Sequence, residues 1–292
     1  MELVRRVHLM REISREIRSR GRKISLVPTM GALHEGHLAL IRKARQLGDV
    51  VVVSIFVNPK QFGPAEDYDT YPRDLVRDAD LCIEEGVDFL FCPEGRDMYP
   101  SGFRTAVEVE GLSAVFEGAS RPGFFRGVCT VVLKLFQIVA PHFSVFGQKD
   151  AQQALIVRRM VADLNLDMEL VVEPTVREAD GLARSSRNAY LDPEQRRAAG
   201  VLYRALEAAK AMIEAEESVA GERVEAEMRR ILEAEPLARV DYVAAVEPSS
   251  LDRLETVEDE VLLLVAAWIG QTRLIDNLLL PEIPGVGGGD LR

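Results

Sequence analysis

His34 and His37 are the residues whose type and spacing first suggest chemistry. They stand in residues 24–40, I-S-L-V-P-T-M-G-A-L-H-E-G-H-L-A-L, with Gly36 between them. Ile24, Ser25, Leu26 and Val27 read as a buried strand, Pro28 and Gly31 as a tight turn, and a helix follows. A strand that feeds a glycine-containing turn and a helix start presents N–H groups without backbone partners, an arrangement suited to phosphate. Two imidazoles placed there can donate to phosphate oxygens, and Gly36 lets a ligand approach the backbone closely. The bland alternative is a satisfied histidine pair at a helix end. A zinc-protease pair needs His at i and i+4 on one helical face, so the i, i+3 spacing argues against that reading.

Further polar groups follow other apolar runs. Residues 50–57, V-V-V-V-S-I-F-V, suit a parallel strand covered on both faces. The polar loop 58–73 comes after it, on the side where open α/β sheets bind ligands. Gln61 in that loop is a neutral amide that both donates and accepts; a glutamine partnered only by water is the alternative. Gly147, Gln148, Lys149 and Asp150 form a second polar quartet, after a strand over 142–146 and before a helix over 151–164.

The elements that must position these groups alternate. A helix over 4–20 precedes the organising strand, and its helix continues to about Gly48. A helix over 73–85, a strand over 89–92, a short helix around 112–116 and an apolar helix over 127–139 come next, with a further strand at 170–172. This alternation predicts a doubly wound parallel sheet, with the strand ends at Thr29, Asn58 and Gly147 on one rim. The pattern changes after Pro174. Residues 176–191 are a polar loop, helices span 193–216 and 219–233, and strands span 240–246, 261–268 and 272–279. The expected organisation is α/β, a first domain over 1–175 and a smaller α+β domain over 176–292 that ends in a loose Gly- and Pro-rich tail from Pro281.

The 292 residues fit two domains at about 100–200 residues each. A net charge of −11, with basic and acidic residues mixed, disfavours nucleic acid as a partner. Cys82, Cys92 and Cys129 form no C-x-x-C pair, which argues against a zinc site and a secreted disulfide framework. No charge-free apolar run reaches about 18 residues, so no membrane span is expected. Residues 1–11 lack an apolar signal core, and the expected location is cytoplasmic.

The H-x-G-H stretch resembles the HIGH motif of class I aminoacyl-tRNA synthetases and related nucleotidyltransferases. The longer strings P-T-M-G-A-L-H-E-G-H-L, F-V-N-P-K-Q-F, F-G-Q-K-D-A-Q-Q and D-G-L-A-R-S-S-R-N resemble one family of that group, pantothenate synthetase. The likeness spans nearly the whole chain and is weakest in the helices of the second part. It implies a Rossmann-like first domain and a two-step reaction, in which ATP activates (R)-pantoate as an adenylate and β-alanine then displaces AMP.

The resemblance also implies site residues. Met30, Gly31, Ala32, Leu33, His34, Glu35, Gly36 and His37 would form the first ATP segment, with His37 donating to phosphate oxygen and His34 its partner. Gly147, Gln148, Lys149 and Asp150 would form the second, with Lys149 the mobile cation on phosphate. Val176 would face the adenine through its backbone. Ser185, Ser186 and Arg187 would meet the β- and γ-phosphates; Arg184 stands where family members often carry an apolar residue. Gln61 and Gln153 would hold pantoate, Gln61 also lying near β-alanine, with Asn58 assisting. Mg²⁺ is implied as the ion that accompanies ATP, without a protein ligand cluster. Asp78 and Asp80 read as a solvated helix face, or as water-linked partners of that ion. The family implies a homodimer. The competing readings are a nucleotidyltransferase acting on a phosphate, and a nucleotide-binding regulator without turnover.

Overall fold

The computed structural model describes residues 1–64 and 66–281. It divides into two compact units, Met1–Gly147 with Gln152–Glu173, and Gln148–Ala151 with the chain from Pro174 onward. The expected loose tail beyond Pro281 lies outside the described residues.

The first unit is built on a parallel sheet. Its strands are β1 (Glu2–Val4), β2 (Ile24–Thr29), β3 (Val50–Ile55), β4 (Phe89–Phe91), β5 (Phe143–Gly147) and β6 (Glu169–Glu173). Among the described residues the order is β1-β4-β3-β2-β5-β6, and every pairing is parallel. The helices are α1 (Val7–Ser19), α2 (Glu35–Leu47), α3 (Leu75–Glu84), the single turns α4 (Gly95–Met98) and α5 (Glu117–Ser120), α6 (Phe124–Val139) and α7 (Ala151–Asp163). Alternation along β3 explains its unbroken apolar sequence. Val50 and Val52 pack with Met10, Val128, Val132 and Leu135, whereas Val51 and Val53 pack with Leu38, Ile41, Ala44 and Cys82. Both faces of the strand are thus covered by helices.

From β2 the chain winds outward through β3 and β4, and β5 and β6 fill the other side. The winding reverses between β2 and β5. A reversal of this kind opens a crevice beyond the strands' carboxyl ends, here at Thr29 and Gly147.

Several boundaries differ from expectation. Glu2–Val4 is an edge strand in register with Phe89–Phe91, and α1 starts only at Val7; three residues are too few to show a period of two. Helix α6 begins at Phe124, because Gly123 takes a left-handed φ of 83° and lets the helix start there. The short helix expected around 112–116 forms instead at Glu117–Ser120.

The second unit carries α8 (Pro193–Ala199), α9 (Val201–Ala215), β7 (Val219–Ala220), α10 (Gly221–Glu233), β8 (Ala238–Val246), β9 (Thr256–Val257), β10 (Val261–Ile269) and β11 (Thr272–Leu280). The helix expected over 193–216 is divided at Gly200. Strands β11, β10 and β8 form an antiparallel sheet, and the β10–β11 hairpin turns at Gly270, φ 59°. Leu202, Leu206, Val224 and Met228 bury Leu263 and Val265 of that sheet.

Candidate active site

Strand β2 delivers the first segment. Thr29 Oγ1 donates to the Ser54 carbonyl at 2.8 Å and accepts from the Gly31 N–H at 3.2 Å. Gly31 has a φ of 85°, and a Cβ there would stand 2.9 Å from Asp78 Oδ2 and 3.1 Å from Ile55 Cγ2. Ala32 also has a positive φ, 52°, a conformation that costs energy for a residue with a side chain. Asp78 on α3 holds it there, accepting from the Ala32 and Leu33 N–H groups at 2.8 Å each. Arg77 Nη1 donates to the Leu33 carbonyl at 3.2 Å. Asp78 is 1% exposed. Burial pushes its carboxyl above the ordinary range, and the Leu33 and Ala32 N–H groups oppose that shift. It is therefore not part of a solvated face; Asp80 is exposed as expected.

His34 is the N-cap of α2. Its Nδ1 accepts from the Gly36 N–H at 3.2 Å, and His37 Nδ1 accepts from the His34 N–H at 3.4 Å, a reciprocal capping box. The ring centroids are 4.2 Å apart. The His37 N–H donates to the His34 carbonyl at 2.7 Å. The N–H groups of Gly31, Ala32, Leu33, His34 and Gly36 thus meet side-chain acceptors, and that of His37 a backbone carbonyl. What the segment presents is imidazole. A neutral ring that accepts at Nδ1 carries its proton at Nε2, where it can donate to an anion.

The turn after β3 is a second construction. Asn58 caps the 3₁₀ turn Pro59–Gln61 and is 1% exposed. Its Oδ1 accepts from Tyr99 OH at 2.8 Å and the Lys60 N–H at 3.3 Å. Its Nδ2 donates to Gln61 Oε1 and to the Gly127 carbonyl, each at 3.1 Å. Gln61 Nε2 donates to Met30 Sδ at 2.9 Å, which joins this turn to the first segment. The turn lies directly on α6, where a Cβ at Gly127 would stand 2.1 Å from the Lys60 carbonyl oxygen. Arg121 holds the loop from outside the turn, donating to Glu66 at 2.6 and 2.7 Å and to the Gln61 carbonyl at 3.1 Å.

The adjacent glutamines of α7 divide their work. Gln152 is buried, its Oε1 accepting from the Glu117 N–H at 3.1 Å and its Nε2 donating to the Leu112 and Val115 carbonyls at 2.8 and 2.9 Å. Gln153 is half-buried.

Within the second unit, Asn277 of β11 organises the Lys149 turn. Its Nδ2 donates to the Gln148 and Lys149 carbonyls at 2.9 Å each, and its Oδ1 accepts from Gln148 Nε2 at 3.0 Å. Lys149 Nζ pairs with Asp150 Oδ1 at 3.1 Å. Asp276, next in the strand, forms a two-pronged pair with Arg177 at 2.6 and 3.1 Å; burial pushes its carboxyl up and Arg177 opposes that shift. The polar loop expected over 176–191 is more ordered than a plain loop. A bridge joins Arg177 to Ala183, the Val176 carbonyl accepts from the Arg184 N–H at 2.9 Å, and Ser185 caps a 3₁₀ turn at Ser186–Tyr190.

Sequence reasoning missed the contacts of Tyr99, Gly127 and Asn277, and it named Asp78 without its backbone-holding role; Gly127 stood at the expected start of its helix and lies inside the observed one. Among the described residues no three His, Cys, Asp or Glu side chains form a metal cluster, and no helix is long and apolar enough to cross a membrane.

The family model described as Pantoate-beta-alanine ligase matches residues 2–279. The pantothenate synthetase of Pelotomaculum thermopropionicum is 57% identical over 277 residues, covering 94% of this chain and 96% of the relative. The crystal structure of pantothenate synthetase from Thermus thermophilus superposes with a TM-score of 0.90 at 49% identity, over 95% of this chain and 99% of that one. The pantoate-beta-alanine ligase of Francisella tularensis, solved with beta-gamma ATP and beta-alanine, superposes with a TM-score of 0.78 at 34% identity, over 96% and 97%. Fold and relatives define an α/β ligase that uses ATP. The chain belongs to the pantoate-beta-alanine ligase family.

Proposed function

We propose that this enzyme condenses (R)-pantoate with β-alanine to give pantothenate, through pantoyl adenylate, with release of pyrophosphate and AMP. The observation that carries the reading is family membership along residues 2–279. A carboxylate resists attack by an amine because its oxygen leaves poorly; AMP leaves well. The pantoate carboxylate attacks the α-phosphorus, and the bond to pyrophosphate breaks. The β-alanine amine then attacks the acyl carbon, and AMP departs.

Charge gathers around the α-phosphate in the first step, so the protein acts through placed donors and cations. His37 and His34 donate from Nε2 to phosphate oxygens, and the capping box that fills both Nδ1 atoms supports that role. Lys149 follows the charge as pyrophosphate leaves. Arg184, Ser185, Ser186 and Arg187 meet the β- and γ-phosphates, and the backbone at Val176 meets the adenine. The segment from Met30 to His37 and the quartet Gly147, Gln148, Lys149 and Asp150 line the nucleotide. Gln61 and Gln153 hold pantoate through neutral amides, which bind hydroxyls without a salt bridge to restrain the carboxylate; Asn58 assists. Mg²⁺ accompanies ATP, held by phosphate oxygens and water. The chain works in the cytoplasm as a homodimer, a state that sedimentation equilibrium reports directly.

One assay tests the reaction. With ATP, pantoate and β-alanine together, AMP and pantothenate form in equal amounts. Formation of ADP instead, or no pantoate-dependent turnover, contradicts the reading.

A further inference from the structure

Neighbouring residues of a strand send their side chains to opposite faces of the sheet. Asp276 and Asn277 of β11 are such neighbours, and each is 3% exposed. Asp276 stands opposite Val265 of β10, on the face that α9 and α10 cover. Asn277 stands opposite Leu264, on the other face. Each side chain holds one of the stretches assigned to ATP.

On the helix-covered face, the Asp276 carboxylate takes both prongs of Arg177 and also the Asn277 N–H, at 2.8 Å. Arg177 donates in turn to the Gly181 and Asn277 carbonyls, at 3.0 and 3.1 Å. Its guanidinium lies 4.3 Å from the centre of the Tyr203 ring of α9. Gly181 turns against the same ring, with a φ of 88°; a Cβ there would stand 1.9 Å from Tyr203 Cδ1. The first part of the 176–187 segment is thus bound to β11 and α9. On the opposite face, both Asn277 Nδ2 hydrogens go to the Gln148 and Lys149 carbonyls, and Oδ1 takes Gln148 Nε2. Carbonyls only accept, so the amide cannot reverse. Burial pushes the Asp276 carboxyl up; Arg177, the Asn277 N–H and the Lys149 cation all oppose that shift. The carboxylate therefore feels charge from both stretches.

We infer that Asp276 and Asn277 are positioning residues that make one body of the Lys149 turn and the segment from Val176, so that two stretches distant in sequence meet ATP in a fixed relation. This deepens the ligase reading and rests on its assignment of both stretches to ATP. Neither side chain acts on substrate; each works through the stretch it holds.

Two near-isosteric substitutions probe the two faces. Asn277→Asp keeps the acceptor for Gln148 but sets an oxygen against two carbonyl oxygens. Asp276→Asn keeps the volume and spoils the two-pronged pair. Where Asp276→Asn does not fold, Arg177→Lys replaces it, since lysine keeps the charge and loses the fork. Turnover of wild type with ATP, pantoate and β-alanine is measured first, and that of Lys149→Ala second, so failure of the ligase reading appears there. Pyrophosphate exchange and a thermal melt are then measured in the single variants, in the pair, and in Asn277→Asp within a Lys149→Ala background. Each single substitution should lower kcat/KM for ATP about tenfold or more, the scale of a displaced binding group, with KM for pantoate near wild type. The pair should cost less than the product of its members, because both loosen one body. The Asn277→Asp effect should shrink to under about twofold once Lys149 is gone, as expected of residues that act as a unit. Unchanged kcat/KM in folded variants, an equal rise in KM for pantoate, strictly multiplicative losses in the pair, or a full Asn277→Asp effect without Lys149 would each overturn the inference.

Discussion

Each imidazole of the His34–His37 pair receives a backbone N–H at Nδ1, so capping leaves the opposite edge of each ring for the proposed phosphate contact. The two roles separate by substitution. His37→Ala loses the phosphate donor and half of the capping box, and adenylation should fall by about two to three orders of magnitude. Lys149→Ala should fall on the same scale without disturbing any cap. His37→Glu is the informative control. Glutamate is an ordinary third-residue partner in a capping box, so this variant should melt near wild type, yet its carboxylate would repel the phosphate and activity should be lost. Pyrophosphate release and a thermal melt, measured together, check all three; wild-type adenylation in His37→Ala or Lys149→Ala would remove that residue from its role. Of the residues assigned to substrate, His34, His37, Gln61 and the Lys149 quartet were legible from their types and places, whereas Gln153, Val176 and residues 184–187 came only through the resemblance. Those that hold them were not legible. Asp78 lies 46 residues from Ala32 and Tyr99 lies 41 from Asn58, and nothing local in either segment announces the partner.

At the scale of elements, the parallel strands were legible because burial on both faces leaves an unbroken apolar run, as in Val50–Ile55. The β10–β11 hairpin was legible from its short polar turn. The edge strand Glu2–Val4 was not, being too short for a pattern, and the break at Gly200 was hidden because helical spacing continues across it. Helix α6 shows how an element serves the site. Glycine inside a helix costs about 1 kcal/mol relative to alanine, so Gly127→Ala should favour the helix itself. The new methyl group would meet the Lys60 carbonyl and the Gln61 N–H at 2.1 and 2.7 Å, and backbone must give way. Gly127→Ala is therefore expected to keep its helical circular dichroism while kcat/KM for pantoate drops by roughly tenfold or more, on the scale of a displaced binding group. Unchanged kcat/KM would mean that the turn's seat on α6 is not needed to place Gln61.

Across the whole molecule, the two units each enclose an apolar core of their own. The sequence order of strands around β2 made the winding reversal predictable in kind, since alternating strands and helices leave few topologies open. The membership of Gln148–Ala151 was not predictable. That segment follows β5 directly, yet Asn277 of the distant β11 takes the Gln148 and Lys149 carbonyls. The central claim is that an acyl adenylate forms before the amine takes part. The most direct test is exchange of labelled pyrophosphate into ATP, with pantoate present and β-alanine omitted. The account predicts exchange that depends on pantoate, needs no β-alanine, and is lost in His37→Ala. Exchange that strictly requires β-alanine would contradict it.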